Sequence, residues 1–106
     1  MTGIRFEWDE GKNLTNQRKH GVSFQEASQV FSDPLHVAVA DRVVDGEQRW
    51  QTLGLARSAT GRLLLLLAAN TVREASDQGI FIEVVRIISA RRANREERGI
   101  YEDENG

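Results

Sequence analysis

Leu63-Leu64-Leu65-Leu66-Leu67-Ala68-Ala69 is apolar at every position, and its reading decides the fold. A half-buried strand alternates apolar and polar residues. One that is apolar on both faces, as Leu63 to Leu67 is, belongs at the centre of a sheet covered on both sides. The run is also the longest uninterrupted apolar stretch of the chain, and its seven residues fall far short of the roughly 20 needed to span a bilayer. Three further apolar segments flank it, so that strands are expected at about 35–43, 48–57, 62–71 and 80–90. Asp45-Gly46 and Thr60-Gly61 supply turn residues between the first three. Asp77-Gln78-Gly79 is expected in a longer loop before the fourth.

Upstream, Ile4, Phe6 and Trp8 alternate with Arg5 and Glu7, the period of a short strand. Asp9 is a good N-cap for a helix that runs to His20 and stops at Gly21. Ser23-Phe24-Gln25-Glu26 is a capping-box pattern opening a second helix. That helix must end near Asp33, because Pro34 disfavours helical geometry in the residue before it. A final helix is expected from about Ala93 to Asp103, with Gly99 as a weak point, and residues 102–106 read as a frayed acidic tail. The order β-α-α-β-β-β-β-α predicts an α+β fold with one twisted, mainly antiparallel sheet, a single domain over 1–106.

The chain is acidic overall, net −2, yet five arginines fall close together: Arg86, Arg91, Arg92, Arg95 and Arg98. A cluster of permanently charged forks makes a local field whatever the average says, and guanidinium geometry suits phosphate. With no cysteine, a disulfide framework, a thiolate metal site and a thiol nucleophile are all excluded. Two isolated histidines without metal-ligand spacing make no metal site, and His36 reads as structural. No apolar leader segment follows Met1, so the cytoplasm is the expected compartment.

The first helix is rich in Lys12, Asn13, Asn16, Gln17, Arg18, Lys19 and His20, with Leu14 its only strong apolar residue. Lys12, Asn16 and either Lys19 or His20 share one stripe. That stripe is either a nucleic-acid-facing or catalytic surface, or a solvated face whose helix is pinned by Leu14, aliphatic stems and asparagine hydrogen bonds. Arg86 is expected to share a strand face with Val84 and Ile88, while Ser89 and Arg91 take the other. A cation on a mainly apolar face calls for a partner, and Glu83 points the wrong way to supply one. In the last helix Glu97 is a candidate proton carrier and Tyr101 a stacking platform, or else Glu97 pairs with an arginine and Tyr101 packs as a lid.

Phe6-Glu7-Trp8-Asp9, Lys12-Asn13, Asn16 and Lys19-His20-Gly21-Val22-Ser23-Phe24 together resemble the opening of the BrnT-type toxins. Phe31-Ser32-Asp33-Pro34 is similar to the end of their second helix. Arg86-Ile87-Ile88-Ser89-Ala90-Arg91-Arg92-Ala93, with Glu97 and Tyr101 after it, resembles their closing signature. The chain departs from the pattern at Gly11, inside the first helix, and at Arg92, which stands where the family usually has lysine. The Thr71–Gly79 connection also reads as long. The resemblance implies a RelE-like fold and a translation-arresting ribonuclease, the toxin of a type II toxin–antitoxin pair. It also implies a BrnA-type ribbon-helix-helix antitoxin partner, with operator DNA engaged only through that antitoxin.

For metal-independent cleavage of RNA, with no cofactor, Lys12, His20 and Glu97 are the candidate proton carriers. Arg57, Arg86, Arg91 and Arg92 are the candidate clamp, and Lys19, Arg92, Arg95 and Tyr101 the candidate RNA contacts. The alternatives are a non-catalytic module whose arginines dock an acidic antitoxin segment or DNA, and a housekeeping domain that binds RNA without cutting it.

Overall fold

A computed structural model describes residues 3–105. Its five-stranded sheet has the order β1-β5-β4-β3-β2, with β1 Gly3–Glu7, β2 Val37–Val44, β3 Glu47–Arg57, β4 Leu63–Asp77 and β5 Ile80–Arg92. The all-apolar run lies in β4, the middle strand, as its two buried faces require. Only the β1–β5 pair is parallel. Helices α1 (Glu10–His20), α2 (Phe24–Ser28) and α3 (Arg95–Asn105) complete an α+β domain. Among the described residues no helix is long and apolar enough to cross a membrane.

One face of the sheet carries Val22, Phe24, Ala27 and Val30 against Leu66, Ala68, Val85 and Ile87; on the other, Tyr101 packs on Leu53, Leu65 and Leu67. The second helix does not run regularly to Asp33. After Ser28 it tightens into a 3₁₀ turn, Gln29–Ser32, whose Val30 sits directly on β3. Gly54 makes that approach possible: a Cβ there would lie 2.8 Å from both the Val30 carbonyl oxygen and its Cγ1.

The β4–β5 connection is not a long loop. β4 continues to Asp77 and turns through Gln78 and Gly79, both at positive φ (52° and 81°), the tight geometry that matches strand twist. Asp45-Gly46 makes the same kind of turn between β2 and β3. Nor is the acidic end frayed: α3 extends to Asn105, whose side-chain amide donates to the Leu35 carbonyl (2.9 Å). Gly106 lies outside the described residues.

Where β1 stops and β2 has not begun, the sheet leaves backbone groups without a strand to pair. Side chains fill in. Asn16 Oδ1 accepts from the Ala90 N–H (3.1 Å) while its Nδ2 donates to the Ala90 carbonyl (2.7 Å), the two bonds a neighbouring peptide would make. Gln29 does the same for Arg57, accepting from its N–H (3.0 Å) and donating to its carbonyl (2.9 Å). On the same β3 edge as Gln29, Asp33 Oδ2 accepts from the Leu55 N–H (2.9 Å) and from the Tyr101 hydroxyl (2.6 Å).

Burial pushes the Asp33 carboxyl up, but hydrogen bonds from Tyr101, Leu55 and Leu35 outweigh it and hold the group below its ordinary range. Burial, then the Asp33 contact, pushes the Tyr101 hydroxyl up to about 12.

Asn16→Ala strands the Ala90 N–H and carbonyl away from water, and Gly54→Ala drives a methyl into Val30. Each is expected to lower unfolding free energy by about 2–3 kcal/mol in urea titrations, against near-neutral effects at exposed Leu14. Asp33 has a depressed folded pKa, so its contribution is present above the unfolded carboxylate pKa and lost as pH falls through the folded value. The urea midpoint should therefore drop below about pH 4, and Asp33→Asn should flatten that drop. Tyr101 acts in the opposite sense: its contribution is complete below the unfolded phenol pKa and lost as pH rises through about 12.

Candidate functional site

Helix α1 is fixed at both ends by its own sequence. Asp9 caps the first turn by accepting from the Lys12 N–H (2.9 Å), and Gly21, at φ 69°, closes the last. Leu14 does not pin the helix; it is half exposed. The buried residues are Asn13 and Asn16. Asn13 Oδ1 accepts from the Phe24 N–H (2.8 Å), tying α1 to the start of α2, and Asn16 docks on β5. With these amides turned inward, Lys12, Thr15, Lys19 and His20 line an open cleft of about 500 Å³ whose opposite wall is Ile88 and Ser89. Among the described residues Lys12, Lys19 and His20 enter no ion pair. The Lys12 and Lys19 ammonium groups outnumber Asp9, the one carboxylate lining the cleft, and give its concave surface a positive potential, which is the elementary requirement for holding a phosphodiester.

The far wall of this cleft is shaped by a bulge. Across β4 and β5, Ala69 pairs with Ser89 but Asn70 pairs with Ile87, so Ile88 is the extra residue. The shift of one residue overturns the expected alternation. Arg86, Ser89 and Arg91 fall on one face, where an unbroken strand would have set Arg86 with Ile88 and against the other two.

Arg86 is partly exposed, and its partner is Glu7 on the neighbouring strand (3.9 Å), an acid already engaged by Arg73. The Arg73 hydrogen bonds are the main reason the Glu7 carboxyl is held low. Arg86 thus keeps its guanidinium at the surface with only a distant counter-ion.

The other anticipated residues separate into two groups. Glu97 accepts both guanidinium nitrogens of Arg91 (2.7 Å each) and the Asn94 N–H (2.9 Å), while Asn94 Oδ1 caps the Glu97 N–H (2.8 Å). This is a capping box fused to a bidentate ion pair, and the Arg91 bonds hold the Glu97 carboxyl below its usual range. Tyr101 is buried, with its hydroxyl committed to Asp33, so its ring offers no open face on which a base could stack.

Arg57 lies away from the α1 cleft. It borders a separate shallow depression with Gln29 and Asp33, and its guanidinium donates to the Gly61 carbonyl (2.8 Å). Arg92 and Arg95 are exposed and enter no ion pair among the described residues.

Sequence reasoning missed Thr15 and the Ile88–Ser89 wall of the cleft. Thr15 follows from helical spacing, because it lies three residues after Lys12 and four before Lys19. No periodicity marks the bulge that presents Ile88 and Ser89. Among the described residues no three His, Cys, Asp or Glu side chains gather as a metal site would require.

Residues 8–97 match the family model described as "Ribonuclease toxin, BrnT, of type II toxin-antitoxin system". No curated protein matches the chain. The family match takes in α1, the α1–β5 cleft, strands β2 to β5 and the Arg91–Glu97 pair, and the chain therefore belongs to the BrnT family of type II toxin–antitoxin ribonuclease toxins.

Proposed function

We propose that the α1–β5 cleft is the active site of a metal-independent endoribonuclease that inhibits translation. In this reading it is neutralised by a BrnA-type ribbon-helix-helix antitoxin, through which alone operator DNA is engaged. The convergence of Lys12, Lys19 and His20 on one cleft walled by Ser89 carries the reading.

Cleavage without a metal uses the RNA's own 2′-hydroxyl. Its oxygen attacks the adjacent phosphorus as its proton passes to a base. The bond from phosphorus to the 5′-oxygen then breaks as an acid supplies a proton to that oxygen, leaving a 2′,3′-cyclic phosphate and a 5′-hydroxyl. His20 and Lys12, facing the same space, are the two proton carriers. Lys19 holds the charge that develops on the phosphorane, and Arg86 and Arg92 hold the flanking strand.

Glu97 and Arg91 act on this site through structure. Their mutual ion pair and the helix cap occupy the carboxylate, which makes Glu97 a positioning residue for the β5–α3 junction. Tyr101 has the same standing, Arg95 remains a peripheral RNA contact, and Arg57 stands outside the reaction centre. The compartment this function requires is the cytoplasm.

The test is inducible expression with growth and total RNA followed together, beside cleavage by the purified chain. Lys12→Met and His20→Gln should fold normally and lose about 10²–10⁴ in cleavage rate, with growth arrest relieved. Arg57→Ala should stay within a few-fold of wild type. Absence of arrest and of cleavage from a folded wild-type chain would instead make the cleft a docking surface, the non-catalytic alternative.

A further inference from the structure

On the sheet face that bears α2 and the 3₁₀ turn, a cavity of about 330 Å³ stays open beyond the helical layer. Its walls are Ile4, Phe31, Trp50, Val72 and Val85, and Asn70 and Thr52 also line it. Thr52 donates to Asn70 Oδ1 (2.8 Å), which sets a hydrogen-bonded polar pair among those apolar walls.

The rim has two further features. Ile4 and Val72 are 51% and 39% exposed, and Phe81, on the same face at the β4–β5 hairpin, is 68% exposed. Glu74 and Glu83 stand directly opposite each other across β4 and β5, and neither enters an ion pair among the described residues. Like charges set opposite on neighbouring strands destabilise a sheet. Glu83 borders both the cavity and a shallower depression containing Glu74 and Phe81. An apolar cavity and an uncompensated pair of carboxylates therefore form one continuous surface, joined at Glu83.

We propose that this surface is where the antitoxin docks. The segment it fits presents an apolar side chain to the cavity and a lysine or arginine to Glu74 and Glu83. The charge decides the occupant. An RNA strand is repelled by two adjacent carboxylates, and a second copy docking two-fold through the same face would bring the same pair against itself. A basic, apolar segment neutralises both. The inference rests on the reading of this chain as a toxin with an antitoxin partner. It assigns that partner to a surface distinct from the α1–β5 cleft.

The test uses the full chain with a BrnA-type ribbon-helix-helix antitoxin as the probe. Affinity is measured by calorimetry at two salt concentrations, and rescue of growth arrest is scored in parallel. E74K/E83K and Ile4→Ser alter exposed positions, and their folding is checked by circular dichroism. Both should bind the antitoxin at least tenfold more weakly, and E74K/E83K should lose most of the salt dependence. Both should still cleave RNA at the wild-type rate and arrest growth that the antitoxin no longer rescues. Wild-type affinity in both variants overturns the assignment, as does a loss of binding on Lys19→Glu instead. If the wild-type chain arrests growth but neither binds that antitoxin nor is rescued by it, the antitoxin reading fails and this surface assignment falls with it.

Discussion

The Asn16 side chain pairs with Ala90 as a peptide would, and the rest of the candidate site depends on that pairing. β1 is only five residues long and stops opposite Arg86, which leaves residues 87–92, nearly half of β5, with a free edge. A free edge must be hydrated, covered or paired. Here one amide supplies both donor and acceptor to Ala90 and gives a second donor bond to Val22 (2.9 Å). The helix that carries Asn16 is thereby locked against the strand at the point where the Ile88 bulge turns Ser89 toward it. The helix has almost no apolar face of its own, so without these bonds nothing would hold Lys12, Lys19 and His20 in register with β5. Gln29 and Asp33 repeat the device at the β3 edge, where they seat the 3₁₀ turn and α3.

Polar side chains used as scaffold also explain how a net-acidic domain keeps a basic site. Several cations are neutralised within the fold: Arg91 by Glu97, Arg73 by Glu7, and Arg5 by Asp77. Those left unpaired around the α1 cleft give it a local positive potential. The carboxylates left unpaired at Glu74 and Glu83 gather beside the apolar cavity, whose lining shares no residue with that of the cleft. Charge is therefore partitioned, and the average of −2 describes neither surface.

Much of this architecture was legible in the sequence, for physical reasons that can be named. Leu63–Leu67 has no polar face, so it had to be central. Asp9, Ser23-Glu26 and Gly21 are capping residues with few other uses at such spacing. Asp45-Gly46 suits a turn with two positive φ angles. The illegible parts are those where local pattern and tertiary role diverge. Asn13 and Asn16 look like solvent-facing helix residues, yet they are buried while Leu14 is not. The last third of β4, Arg73-Glu74-Ala75-Ser76-Asp77, lacks the apolar content of a strand because much of it faces solvent. The Ile88 bulge has no compositional mark, and it decides which face Ser89 and Arg91 occupy. Tyr101 and Asp33 meet across 68 positions of sequence, so the stacking role considered for Tyr101 had no local feature to argue against it.

The most direct measurement of the central claim is a map of where RNA sits on the folded chain. Amide and side-chain NMR shifts would be followed as an RNA oligonucleotide, 2′-deoxy at the scissile position and so not cleavable, is titrated in. The account predicts the largest perturbations at Lys12, Thr15, Lys19, His20, Ile88 and Ser89, with smaller ones at Arg86 and Arg92. Perturbations centred on Trp50, Asn70 and Glu83, or on Arg57 and Gln29, would contradict it and move the nucleic-acid site elsewhere on the sheet.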